Sequence, residues 1–206
     1  DYSWTEVYRS SPPPHREFHS FLDEKTVITT TQAQQEALNY ELFHLETKKT
    51  DELTNYPNAL SAFTKCERRL LNYERKDGVA LSGVLHLPAD YKAGEKRPLL
   101  IWAYPRGYTS AKTASQVRMS HHRFPTLTKR WHNLLALAGY VVLDRTQVPI
   151  VGTPETMNDS YVEQVVSSLA AAIDKLDELG YIDRQRVALG GHSYGAFMVA
   201  NALAHS

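Results

Sequence analysis

The chain has 206 residues, 42% of them hydrophobic, which is enough apolar material for one large or two small packed domains and excludes global disorder. Lysine plus arginine equals aspartate plus glutamate at 23 each, so no net field draws it to nucleic acid or to an anionic membrane surface. The single cysteine, Cys66, forms no intrachain disulfide, no Cys/His cluster stands at zinc-ligand spacing, and the longest apolar run, 134–143, is about half a membrane span and is broken by Gly139.

Residues 1–60 carry short β-prone runs separated by proline, charge and polar clusters. The opening Asp1-Tyr-Ser-Trp-Thr5 has neither the basic flank nor the apolar core of a signal peptide and reads as mid-strand, as in a chain numbered from inside a larger protein. Val7-Tyr8, Phe18–Leu22, Val27–Thr30 and Tyr40–Leu45 are candidate strands. After them, 48–51 reads as a turn and Glu52–Pro57 as a returning strand. Such a strip cannot bury both faces alone, so it is expected to belong to a repeated β assembly whose other units lie upstream.

Pro57–Ala62 reads as a linker, and the pattern then changes. Arg69–Arg75 and Val79–Leu87 form a hairpin with Asp77-Gly78 at its turn. Leu99–Tyr104 is a continuous apolar run, as a strand covered on both faces requires. Trp131–Ala138 predicts a short helix and Tyr140–Leu143 another buried strand. Over 160–179 the apolar residues Val162, Val165, Val166, Leu169, Ile173 and Leu176 follow a 3.6-residue period, with Ser160 and Glu163 as a capping box and Gly180 at the end.

The last stretch, Arg186-Val-Ala-Leu-Gly-Gly-His-Ser-Tyr-Gly195, runs an apolar strand, Val187–Leu189, into a Gly-x-Ser-x-Gly turn and on into an alanine-rich helix from Ala196 to Ala204. This is the pattern of a nucleophile elbow. The strand reverses so sharply that the residues on either side of the nucleophile must be small, and Gly191 and Gly195 supply that room. The turn lifts the Ser193 hydroxyl clear of the sheet, beside a helix N-terminus, where the Tyr194 backbone N–H can face a developing oxyanion. A hairpin followed by alternating strands and helices, with the serine after the last strand, indicates an α/β sheet of α/β-hydrolase type, interrupted after the nucleophile helix.

On Arg75–Pro88, Leu100–Pro105 and Gly190–Met198, residues 66–206 resemble the hydrolase domain of the prolyl oligopeptidase family of serine peptidases. Trp102–Arg106, Gln116-Val-Arg118, Val148–Gly152 and Tyr161–Gln164 are similar to its glutamyl endopeptidase branch, known from plastids and bacteria. The resemblance implies a β-propeller before the catalytic domain, so residues 1–60 are expected to be the end of its last blade and 61–206 the N-terminal part of the catalytic domain. It also implies a peptide substrate; no cofactor or metal is expected, and the compartment is left open, with a soluble cytoplasmic or plastid-type one favoured over secretion. By the resemblance Ser193 is the nucleophile, Tyr194 supplies one oxyanion donor, and Tyr104, at the end of its strand, supplies a hydroxyl as the other. Pro105-Arg106 departs from the small residues usual there. Arg106 and Arg118 are candidates for binding an acidic side chain before the cleaved bond, and His192 for shaping the turn or the substrate pocket.

A serine nucleophile needs a histidine base, itself oriented by a carboxylate. In this fold both follow the serine, where only His205 stands, twelve residues along the same helix (205 minus 193). At roughly 1.5 Å per residue that is about 18 Å away. The triad acid and histidine are therefore expected beyond residue 206, Asp144 and Asp159 match no triad position, and the chain alone is expected to be inactive. His121-His122 read as solvated loop residues. An esterase or lipase on the same fold, or a binding domain that keeps the elbow as scaffold, would share the motif.

Overall fold

A computed structural model describes the chain except for residues 1–5, 7, 10–13, 115–119, 121, 126 and 128–130. Of the sequence expectations, Val7, Gln116-Val-Arg118 and His121 lie outside the described residues. The chain divides into two compact units, Asp1–Thr64 with Ser120–Thr126, and Lys65–Met119 with Leu127–Ser206.

The first unit is an antiparallel sheet of four strands in sequence order: β1 (His15–Phe21), β2 (Thr26–Gln32), β3 (Asn39–His44) and β4 (Thr50–Glu52). Threonines and Val27 make β2 the buried centre, and the carboxylate of Glu41 on β3 is held by Arg16 on β1 at 3.0 Å. The β3–β4 turn differs from the sequence expectation. It closes earlier, at Lys48, whose φ of 57° lets the His44 and Lys48 backbone bond back, so β4 starts within the segment read as a turn. After Glu52 the chain leaves the ladder, and Asn39 Oδ1 takes the Thr54 hydroxyl at 3.0 Å and the Tyr56 N–H at 2.5 Å in place of strand pairing.

The second unit is a five-stranded mixed sheet in the order β5-β6-β8-β7-β9, built from β5 (Glu67–Glu74), β6 (Ala80–Leu87), β7 (Arg97–Tyr108), β8 (Val141–Val151) and β9 (Ile182–Gly190). The β5–β6 hairpin turns at Gly78, with φ 82°, and β6 runs antiparallel to β8. The strands β8, β7 and β9 are mutually parallel, as strands joined through crossovers must be.

Strand alternation sorts the two faces of this sheet. Leu99, Ile101 and Ala103 of β7 with Val141 and Leu143 of β8 face the helices α1 (Tyr161–Glu178) and α2 (Tyr194–His205), whose Val165, Leu169, Ala172, Leu176, Met198 and Ala202 complete the core. The 3₁₀ segment His132–Ala138 meets the other face, where the indole of Trp102 stacks on the His132 ring at 4.2 Å. Helix α1 starts and ends where its pattern predicts, and Gly180, with φ 75°, closes it through bonds to the Asp177 carbonyl and from Tyr181 to Leu176. The capping box does not form. Ser160 makes no side-chain cap, because its hydroxyl accepts a bond from Gln164 Nε2 at 2.9 Å instead. No helix among the described residues is long and apolar enough to cross a membrane.

Candidate active site

Ser193 stands at the end of β9, where it caps α2, with φ 55° and ψ −119°. Those angles are those of the first central residue of a type II′ turn, which ordinarily demands glycine. The surroundings impose them. A Cβ on Gly191 would lie 2.4 Å from the Gly195 backbone, and one on Gly195 would lie 2.7 Å from the Ala103 carbonyl oxygen of β7. The strand, the turn and the first turn of α2 are therefore packed backbone to backbone, which only this glycine spacing permits. Gly195 N–H bonds the His192 carbonyl at 2.9 Å, while Ala196 and Phe197 bond the Ser193 carbonyl at 2.8 and 3.2 Å.

Tyr104 arrives beside this turn from the neighbouring strand. Its ring meets that of Tyr194 edge to face at 6.1 Å, and it is 46% exposed. Ser193, Tyr194 and Tyr104 are thus brought together by β7, β9 and the start of α2. Arg106 lies two residues beyond Tyr104 on the same strand and is exposed, and so is His192. Arg118 lies outside the described residues.

The sequence pattern did not single out two further features. Tyr161, at the start of α1, and Phe197, on α2, pack with Tyr194 at 5.6 and 5.9 Å to form an aromatic cluster beside the elbow. Burial and the adjacent Tyr194 phenol push the Tyr161 hydroxyl above the ordinary tyrosine range. Spacing gives no hint of this contact, because Tyr161 and Tyr194 lie on different helices.

The second feature is a buried pair. His132 Nε2 donates to Asp144 Oδ1 at 2.7 Å, and the Arg145 backbone N–H donates to the same oxygen at 2.7 Å. Burial acts to raise the Asp144 carboxyl, but these two bonds and the nearby His132 and His86 outweigh it and hold it below its usual value. The other ring nitrogen of His132 is buried without a hydrogen-bond partner, so this histidine is committed to Asp144 and the stacked Trp102.

Residues 155–206, which contain α1, β9 and the elbow, match the model of the prolyl oligopeptidase family. The chain is 36% identical over 188 residues, 90% of its length, to a protein of Arabidopsis thaliana described as "Probable glutamyl endopeptidase, chloroplastic", and it spans 20% of that relative. Its fold is similar to that of the AtxE2 isopeptidase, with a TM-score of 0.62 and 23% identity over 89% of this chain and 28% of that one. It is also similar to the acylaminoacyl peptidase of Pyrococcus horikoshii, with a TM-score of 0.57 and 21% identity over 98% of this chain and 30% of that one. The resemblance to the peptidases of the prolyl oligopeptidase family, read first from the motifs, therefore holds in the sequence of the elbow region and in the fold of 89% of the chain.

Proposed function

We propose that the protein is a serine peptidase that cleaves peptides through an acyl-enzyme intermediate on Ser193. The observation that carries this reading is the backbone of Ser193 itself, a non-glycine residue held at φ 55° and ψ −119° at a helix N-terminus by glycines that touch neighbouring backbone. A strained, exposed serine in that position is what nucleophilic attack requires. Ser193 Oγ attacks the peptide carbonyl while its proton passes to a histidine, and the carbonyl oxygen becomes an oxyanion. The Tyr194 N–H and the Tyr104 hydroxyl receive that charge, and collapse expels the amine, which takes the proton from the same histidine.

The histidine is assigned to a part of the protein other than the second unit. Within that unit His132 is bound to Asp144, His86 is buried, and His205 ends α2, about 18 Å from Ser193 at roughly 1.5 Å per residue. The first unit is assigned as one blade of a β-propeller, since four antiparallel strands in sequence order are the form of a blade and its core is too small to stand alone. Cleavage after glutamate or aspartate is supported by the description of the Arabidopsis relative and by the exposed Arg106 beside Tyr104. Arg118 is the second candidate for that charge.

A fluorophosphonate probe applied to the full-length protein tests the core of this reading. The adduct is expected on Ser193 and is expected to vanish in Ser193→Ala. An adduct on another serine would overturn the assignment. A peptide library is expected to be cut mainly after acidic residues, and cleavage after proline or apolar residues would remove the charge preference while leaving the nucleophile intact.

A further inference from the structure

Beyond Trp102, strand β7 no longer pairs with β9, and beyond Asp144, strand β8 no longer pairs with β6. What continues is a ribbon of two strands only, in which Tyr104 faces Gln147, Pro105 faces Val148, Arg106 faces Pro149, Gly107 faces Ile150 and Tyr108 faces Val151. Val148 and Ile150 bury the ribbon's inner face in the main core, but among the described residues it has no third strand, and with a proline in each of its two strands, each strand lacks one ladder donor. Yet it carries Tyr104 and Arg106, the two side chains that the proposed chemistry asks it to aim.

Polar bonds that a third strand would have made come instead from α1. Gln164 Oε1 accepts from Val151 N–H at 2.8 Å, and Gln164 Nε2 donates to the Val151 carbonyl at 2.9 Å, so one side-chain amide pairs with Val151 as a neighbouring strand would. The same amide is fixed from behind by Ser160 Oγ at 2.9 Å and by Arg75 Nη2 at 3.2 Å. Arg75 is 2% exposed, and its Nη1 donates to the Pro149 carbonyl at 3.2 Å. Two contacts on β8, at the Pro149 carbonyl and at Val151, are thus made by side chains rooted in α1 and the β5–β6 turn.

We propose that Gln164 is a positioning residue for acyl transfer: by clamping Val151 it holds the β7–β8 ribbon so that the Tyr104 hydroxyl meets the oxyanion. This rests on the peptidase reading above and on Tyr104 as an oxyanion donor. Gln164 touches no reacting atom and acts only through the ribbon.

The test is a double-mutant cycle on the full-length enzyme with Gln164→Met, which keeps the length of the side chain and loses its amide, and Tyr104→Phe. Gln164→Met is expected to lower kcat by roughly 10-fold with KM nearly unchanged, and to lower it by less than about 2-fold when Tyr104→Phe is already present, because residues acting through one group are non-additive. A purely structural Gln164 would give the same fold-loss in both backgrounds, and that result, or an unchanged kcat in Gln164→Met, overturns the proposal. Should Gln164→Met fail to fold, Gln164→Glu keeps the bonds from Val151 N–H and Arg75 and loses the donations to the Val151 carbonyl and to Ser160 Oγ. It is expected to show a smaller kcat loss with the same dependence on Tyr104. Fluorophosphonate labelling separates the two levels. Labelled Ser193 with an additive cycle refutes the role of Gln164 alone, whereas no label on wild-type Ser193 refutes the peptidase reading beneath it.

Discussion

Holding Ser193 at φ 55° costs on the order of 1–3 kcal/mol, and the contacts of Gly191 and Gly195 show where the chain imposes it. This part of the site was legible in the sequence because its constraints are contiguous: five adjacent residues specify the turn, and no distant partner is needed to read them. Tyr104 was legible only through resemblance, since an aromatic at a strand end ordinarily packs. Tyr161 and Phe197 were not legible at all, because their contact with Tyr194 depends on how α1 and α2 lie on the sheet. The Tyr104 hydroxyl is nonetheless the sharper test. If it is an oxyanion donor, Tyr104→Phe should lower kcat by roughly 10²-fold with little change in KM, the usual effect of losing one such bond. Steady-state kinetics on the full-length enzyme measures this, and an unchanged kcat returns Tyr104 to packing against the elbow.

Among the elements, α1 was readable to within a residue because its period and its terminal glycine agree, while its first turn was misread. Ser160 and Glu163 have the spacing of a capping box, but Gln164 takes the Ser160 hydroxyl, drawn there by Val151 and Arg75, which lie far off in sequence. The extension of β8 to Val151 was missed for a related reason. Pro149 argues against a strand, and nothing local reveals that side chains from other elements replace the lost ladder bonds. The pairing of β6 with β8 yields a prediction of its own. His86 on β6 is 3% exposed, and burial is the main cause of its pKa falling to about 4, with Arg68, His132 and Arg145 adding to the shift and Asp144 opposing it. The unfolded chain therefore takes up a proton between its ordinary value near 6.5 and about 4, where the folded chain does not, and stability falls as pH drops through that window. Asp144, held below its usual value, adds a further loss at still lower pH. A shift from 6.5 to about 4 corresponds to a loss of about 3 kcal/mol on going from pH 7.5 to pH 4. Urea midpoints across that range should show it, and His86→Leu should flatten the curve. An equally steep curve in the variant would mean that other groups carry the acid sensitivity.

At the scale of the molecule, the strand order β5-β6-β8-β7-β9 brings the elbow to the end of an edge strand of the described sheet, with one hydrogen-bonded neighbour, β7. In the proposed reading the sheet thus supplies the nucleophile and both oxyanion donors, whereas proton transfer needs a histidine in contact with Ser193 Oγ. Among the described residues of the second unit, His132, His86 and His205 are not placed for that role. His132 Nε2 is spent on Asp144, and its Nδ1 is buried without a hydrogen-bond partner. His86 is buried on β6, and His205 stands at the opposite end of α2 from the serine. His192 immediately precedes Ser193 in the same turn and is exposed. Without a base the serine hydroxyl is a poor nucleophile, and binding plus an oxyanion site supplies far less than a complete triad, on the order of 10³-fold over water rather than the full enzymatic acceleration. If the base lies elsewhere in a longer protein, as the family resemblance implies, residues 1–206 purified alone are expected to show no appreciable turnover of a peptide amide, and the full-length protein is expected to restore it. The measurement is hydrolysis of one acidic peptide substrate by both preparations, with Ser193→Ala as the control in each. Turnover at ordinary enzymatic rates by residues 1–206, abolished by Ser193→Ala, would show that a histidine of this chain reaches the serine, and would remove the assignment of the base to another part of the protein.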